Sequence, residues 1–245
     1  LLVALIVAPN GRSAILWFLV VSAMAYAVAQ PVSRWFADYL RRQKVEHTRM
    51  AVSNIRPLSV NMTLWSLFIL MILIFSKYIY MASLTSYYTF YLIEQFGVSV
   101  QASQVCLFVF LVATAVGTFV GGPVGDRIGR KYVICISILG TSPFSLFLPH
   151  VGFTMTVILS FCAGFMLSSA FPAILLYAQE LLPYRLGLVS GLFYGFAFGI
   201  AGIASAVLGH AIDIYGLKDI YDFCAYMPLL GLVAAFLPAL RTNAS

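Results

Sequence analysis

The sequence predicts an all-α membrane protein with seven membrane-spanning helices preceded by a short helix stump. Three observations carry that prediction. The 245 residues are 62% hydrophobic and only 9% charged, against roughly 45–50% and about 25% in soluble globular domains; so few charges cannot cover a water-facing surface. Apolar runs recur that are long enough to cross a hydrocarbon core about 30 Å thick, which takes roughly 20 helical residues. The basic residues collect in alternate connections between those runs.

Taken in order, residues 1–8, "LLVALIVA", start mid-run without Met or a charged leader, so they do not read as a signal peptide. They read as the end of a truncated helix, and the chain as a fragment. Spans follow near 13–33, 62–92, 102–121, 132–149, 153–180, 186–210 and 223–240. Turn signals separate several of them: "PNGRS" at 9–13, "GGPVGDRIGR" at 121–130, "LLPYR" at 181–185 and "DIYGLKD" at 213–219. Residues 34–61 form the one polar stretch of linker length, between one span and a block of six. They read as the connection between two halves, ahead of a six-helix bundle over 62–240 and a short tail at 241–245.

Orientation comes from the loops. One set carries Arg34, Arg41, Arg42, Lys44, Arg49, Arg56, Arg127, Arg130, Lys131, Arg185 and Arg241, while the opposite set carries Arg12 and Lys218. Lys and Arg favour the cytoplasmic side, which puts the 34–61 linker, the 121–130 connection, the 181–185 connection and the C-terminus in the cytoplasm. The net charge of +6 is accounted for by this topology. It forms no groove-like stripe, so nucleic acid is not an expected partner; the lipid bilayer is.

Several chemistries find no pattern here. The cysteines Cys106, Cys135, Cys162 and Cys224 each lie in an apolar run without a CxxC pair, and read as small hydrophobes. His47, His150 and His210 lack ligand spacing, so no metal site is expected. There is no P-loop and no Ser/His/Asp or paired-carboxylate arrangement within the spans, so neither an ATP-driven pump nor an enzyme is expected.

Lys77 is the exception among the basic residues, because it falls inside a span. It lies about 18 Å along the helix from Trp65, past mid-depth if Trp65 marks the interface. A lysine there costs about 2.5–3.5 kcal/mol on insertion scales and usually faces a cavity. A helical row continues from it through Tyr80, Leu84, Tyr88 and Tyr91, with Leu84 interrupting the polar side. Snorkelling to the headgroups with the tyrosines as an aromatic belt is the alternative. No acid in the spans is placed to neutralise Lys77, so its partner is expected on the substrate or in helices outside this chain.

The 121–130 connection carries more than topology. "GGPVGDRIGRK" resembles the G-x-x-x-D-R-x-G-R-K loop of the major facilitator superfamily, and "YAQELLPYRLG" resembles the E-x-x-P-x-R pattern that ends the fourth helix of each half. On these motifs, and on "IFSKYIYMASLTSYYTFYLIEQFGVS" and "AVLGHAID", the chain is identified as similar to the fosmidomycin resistance group of that superfamily, from the end of the fifth helix through the twelfth.

The resemblance implies a twelve-helix secondary transporter in the bacterial inner membrane. It would export fosmidomycin or a similar small anionic antibiotic by alternating access, without a bound cofactor, driven by proton influx. The absent N-terminal half would be its main partner. The resemblance also implies a cytoplasmic gate built from Gly122, Asp126, Arg127, Arg130, Lys131, Glu180 and Arg185. In it, Asp126 would pair with Arg185 or the following helix end, and Glu180 with Arg127 or Arg130.

Separate interfacial charges, each worth under ~1 kcal/mol, are the plainer alternative to that network. The cavity would be lined by the 62–92 helix, with Lys77, Tyr80 and Tyr88 as substrate-binding residues. The 153–180 helix would contribute Tyr177, Ser168 and Ser169, with Pro172 as a kink or hinge. Two glycine ridges at four-residue spacing, Gly117 with Gly121 and Gly187 through Gly191, Gly195 and Gly199, allow close helix approach. By resemblance both helices would face the other half; permanent packing within this half would use the glycines equally well. A sugar or organic-acid porter of the same fold, or a non-transporting receptor, remains as an alternative function.

Overall fold

The computed structural model describes residues 23–35 and 59–238, in two compact units divided near residue 57. In the first, residues 23–35 form one exposed helix (α1) in which Gln30 donates to the Tyr26 hydroxyl at 2.7 Å. The predicted stump at 1–8, the start of the 13–33 span, most of the 34–61 linker and the 241–245 tail lie outside the described residues.

The second unit holds α2 (Val60–Phe96), α3 (Val100–Ile128), α4 (Arg130–Phe147), α5 (Phe153–Leu181), α6 (Leu186–Tyr215) and α7 (Leu217–Ala225). A 3-10 stretch, Met227–Phe236, completes it. Among the described residues, six segments are long and apolar enough to cross a membrane, matching the six spans predicted over 62–240. At 37 residues α2 extends about 55 Å, well beyond the hydrocarbon thickness.

Local chemistry sets the ends. Ser59 caps α2 and Ser99 caps α3, each side chain accepting from the backbone N–H three residues on. Gly97 closes α2 in the left-handed conformation at φ 63°, which a residue lacking Cβ enters without strain. Gly129, at φ 102°, stands alone between α3 and α4.

That last point corrects the expectation of a turn over 121–130. The helix runs through Pro123 to Ile128 and only Gly129 leaves it. The predicted turn at 213–219 shrinks likewise to Gly216, at φ 89°.

The last span is also corrected. In place of an even helix over 223–240, α7 ends at Ala225 and a 3-10 stretch containing Pro228 follows. Breaking a helix in hydrocarbon frees carbonyls that lipid cannot satisfy. Neighbouring helices supply the donors: Ser145 donates to the Ala225 carbonyl at 2.8 Å and Ser76 to the Met227 carbonyl at 2.5 Å. Further on, Lys131 donates to Ala235 at 3.1 Å and Tyr177 to Pro238 at 2.6 Å.

Packing centres on α5, which lies against both α3 and α4, while α2 packs on α6 and on the 3-10 stretch. The α3–α5 contact is backbone-close. A Cβ on Gly117 would strike the Phe165 carbonyl, and one on Gly121 would come within 2.5 Å of the Ser169 carbonyl oxygen. This ridge therefore packs inside the bundle, as the alternative of permanent packing within this half has it. Gly187, Gly191, Gly195 and Gly199 differ: all four are exposed, and a Cβ added to any of them would meet no described atom within 4 Å.

Two apolar clusters form the core. Ile69, Leu73 and Ile74 of α2 join Ile134, Ile138, Ile174 and Phe193 in the first; Leu84, Tyr88 and Leu92 join Phe110, Leu167 and Cys224 in the second. Along α2 the first ends at Ile74 and the second begins at Tyr80. Lys77 sits in the interval.

Candidate functional site

Near the middle of α2, Lys77 is 3% exposed. Its Nζ lies 5.2 Å from the Tyr78 ring centroid and 5.1 Å from that of Phe171 on α5. Cation–π contacts at such distances are worth about 2 kcal/mol when water is excluded. Two of them are together of the same order as the roughly 2.5–3.5 kcal/mol cost of a lysine at this depth. Among the described residues no carboxylate forms an ion pair with it. The ammonium is thus sheltered by rings and left without a counter-charge there.

Lys77 opens into a cleft of about 190 Å³ between α2, α3 and α5. Tyr78 and Met81 line it from α2, Thr114, Ala115 and Thr118 from α3, and Ser168 and Phe171 from α5. Phe171 is held edge-on by Tyr78 at 5.7 Å and by Tyr194 of α6 at 5.2 Å. The aromatic wall beside the lysine therefore draws on three helices.

The other residues expected to bind substrate lie elsewhere. Tyr80 is buried in the second cluster, its hydroxyl without a hydrogen-bond partner among the described residues. Tyr88 is fully buried and shares a 2.8 Å hydrogen bond with Ser160. Tyr177 is 1% exposed and holds the Pro238 carbonyl. Ser169 turns to Ser137 of α4. The row from Lys77 through Tyr80 and Tyr88 does share one helical face, but that face looks into the bundle. The cleft lies on the adjoining face, carrying Tyr78 and Met81. Sequence reasoning passes over Tyr78, Phe171, Thr114 and Thr118; the signal available is that 77, 78 and 81 form an i, i+1, i+4 wedge.

At the end of the bundle where α3 meets α4, a second cation has the opposite surroundings. Arg130 Nη1 lies 2.7 Å from Glu180 Oε1, and Arg130 Nη2 lies 3.6 Å from Asp126 Oδ1. The Arg130 and Glu180 side chains are each 22% exposed and Asp126 is 63% exposed. Arg130 is the first residue of α4, Asp126 lies in the last turn of α3 and Glu180 in the last turn of α5. One guanidinium thus joins three helix ends. Of the pairings expected, Glu180 meets Arg130 rather than Arg127, and Asp126 meets the following helix end rather than Arg185. Arg127 and Arg185 are exposed, and Lys131 bonds the Ala235 carbonyl. Gly122 is half-buried with open space at its Cα.

A bundle of long apolar helices, with a charge knot at one end and, at mid-helix, a cation without an ion pair among the described residues, fits a membrane carrier. The Major Facilitator Superfamily model matches residues 66–245, and the chain belongs to that family.

It is 51% identical, over 97% of its length, to the fosmidomycin resistance protein of Escherichia coli (strain K12), covering 58% of that protein. It is 34% identical over 98% of its length to the uncharacterized MFS-type transporter YfnC of Bacillus subtilis (strain 168), again covering 58%. With the 4-hydroxybenzoate transporter PcaK of Acinetobacter baylyi it shares 31% identity over 50% of this chain and 28% of that protein. The chain spans a little under three fifths of the length of the first two relatives. The resemblance read from the motifs at 121–131 and 177–187 is matched by this identity.

Proposed function

We propose that this chain is the C-terminal part of a secondary active transporter that exports fosmidomycin or a similar small anionic antibiotic across the bacterial inner membrane. Export proceeds by alternating access in exchange for protons. The observation that carries the reading is Lys77: a buried ammonium at mid-helix, beside a cleft, without a carboxylate partner among the described residues. An anionic substrate supplies the missing charge. The name of the 51% identical relative supports the substrate.

Arg130, with Asp126 and Glu180, acts as the cytoplasmic latch, closed when the transporter opens outward. The loop charges support a cytoplasmic C-terminus. The exposed ridge at Gly187, Gly191, Gly195 and Gly199 meets the N-terminal half, and the proton-coupling acid lies in that half.

The test is accumulation of labelled fosmidomycin in cells lacking their own exporters and carrying the full-length gene. Wild type lowers accumulation, a protonophore abolishes the effect, and Lys77→Gln loses it at normal membrane levels. Unchanged accumulation with wild type defeats the substrate assignment. The partial likeness to a 4-hydroxybenzoate transporter favours an organic-acid porter as the second reading.

A further inference from the structure

The hydroxyls around the Lys77 cleft are not equivalent. Thr114 donates to the Leu111 carbonyl at 2.7 Å and Thr118 to the Thr114 carbonyl at 2.9 Å, each within its own helix. Helical serines elsewhere do the same: Ser160 to Val157, Ser169 to Met166 and Ser190 to Leu186. Ser168 does not. It is 3% exposed, lines the cleft, and its Oγ has no hydrogen-bond partner among the described residues. A buried hydroxyl left in that state costs about 1–3 kcal/mol, although a carbonyl one helical turn back is the usual remedy.

Ser168 therefore brings an uncommitted O–H to the same cleft as the unpaired Lys77 ammonium. Both are donors. The α3 wall is the reverse, since the two threonines have spent their protons on backbone carbonyls and present lone pairs only.

Resting on the transport reading above, we infer that Lys77 and Ser168 form a two-donor site for a single oxyanion head group, phosphonate or carboxylate. Lys77 selects for negative charge and Ser168 for an oxygen acceptor beside it. The head group lies on the α2–α5 side, away from the threonine lone pairs. The part of the substrate next to it is apolar, packed on Tyr78, Phe171 and Met81. One cation matches one negative charge, so the preferred head group is a monoanion. On binding, the ammonium exchanges the faces of two rings for the oxyanion, and Ser168 gains its first hydrogen bond.

The experiment uses purified full-length transporter in detergent and two labelled probes, fosmidomycin for the phosphonate and 4-hydroxybenzoate for the carboxylate. Methyl 4-hydroxybenzoate serves as the uncharged competitor. Wild type, Ser168→Ala, Ser168→Thr and Lys77→Gln are compared, with thermal unfolding of each to establish that it folds.

The expected result is binding of at least one probe, weakened about 10-fold by Ser168→Ala, the value of one hydrogen bond to a charged group. Ser168→Thr, which retains the hydroxyl, stays within about 3-fold of wild type on the same reasoning, and the ester fails to compete. Unchanged affinity in Ser168→Ala, effective competition by the ester, or no binding of either probe overturns the two-donor site. Ser168-dependent binding of 4-hydroxybenzoate alone supports the site and defeats the fosmidomycin assignment. Fosmidomycin binding that needs Lys77 but not Ser168 keeps that assignment and defeats the site.

Discussion

Lys77 and Arg130 are both shielded cations, and their surroundings could hardly differ more. Arg130 is met by two carboxylates drawn from two other helix ends, at 2.7 and 3.6 Å. Lys77 is met by two aromatic faces and shares its cleft with an orphan hydroxyl. A charge whose counter-charge is built into the chain holds the fold in one arrangement. A charge with no counter-charge among the described residues, as proposed for Lys77, would be open to something that arrives and leaves. The bundle keeps these two surroundings apart, one at a helix junction and one at mid-helix.

Removing the charge at Lys77 should erase the contrast between the two sites. Lys77→Gln is expected to reduce anion transport ~100-fold, the equivalent of about 3 kcal/mol for a charge-assisted contact in a dry site. The fold should be little affected, because no built-in partner is orphaned; radiotracer export together with thermal unfolding of the full-length transporter checks both halves.

Supplying Lys77 with an acid should turn it into a second Arg130. Thr118→Asp across the cleft is expected to lower anion affinity by about 10-fold or more while leaving unfolding temperature unchanged or raised; direct binding assays decide this. The reverse operation, Arg130→Gln, strands Glu180. A loss of about 1–3 kcal/mol in stability is expected, and adding Glu180→Gln to the same protein should return part of it, a double-mutant cycle by thermal unfolding being the check. Asp126→Asn should do least. At 3.6 Å and 63% exposure its pair is worth under ~1 kcal/mol, and an unfolding shift as large as that of Arg130→Gln would overturn its peripheral place.

Much of this architecture is legible in composition and periodicity, since hydrocarbon allows few structures other than apolar helices. The six spans over 62–240, the lysine inside one of them and the charge cluster all follow from residue type and spacing. What is not legible is which side of a helix is already taken. Tyr80 and Tyr88 keep register with Lys77, yet α7 and α3 occupy their face, and a one-dimensional pattern carries no information about that.

Proline misleads for a related reason. Pro123 within "GGPVG" marks a turn by local propensity, but the segment stays helical to Ile128 while packed on α5. The glycine ridges share one spacing and have different fates. Gly117 and Gly121 touch backbone inside the bundle, whereas Gly187 through Gly199 face open space among the described residues; such spacing measures how close a helix can come, not who comes. Arg127 and Arg130 are equivalent candidates for Glu180 on spacing alone. The folded helices separate them, Arg130 turning inward and Arg127 to the outside.

The interrupted final span carries a consequence for biosynthesis. Its free carbonyls are answered by Ser76, Ser145, Tyr177 and Lys131, all of which leave the ribosome earlier. A nascent segment ending in a 3-10 stretch cannot rest by itself in lipid with those groups bare. Its interrupted form therefore depends on a groove assembled by α2, α4 and α5, all made before it, so this segment settles only where those three helices have already met.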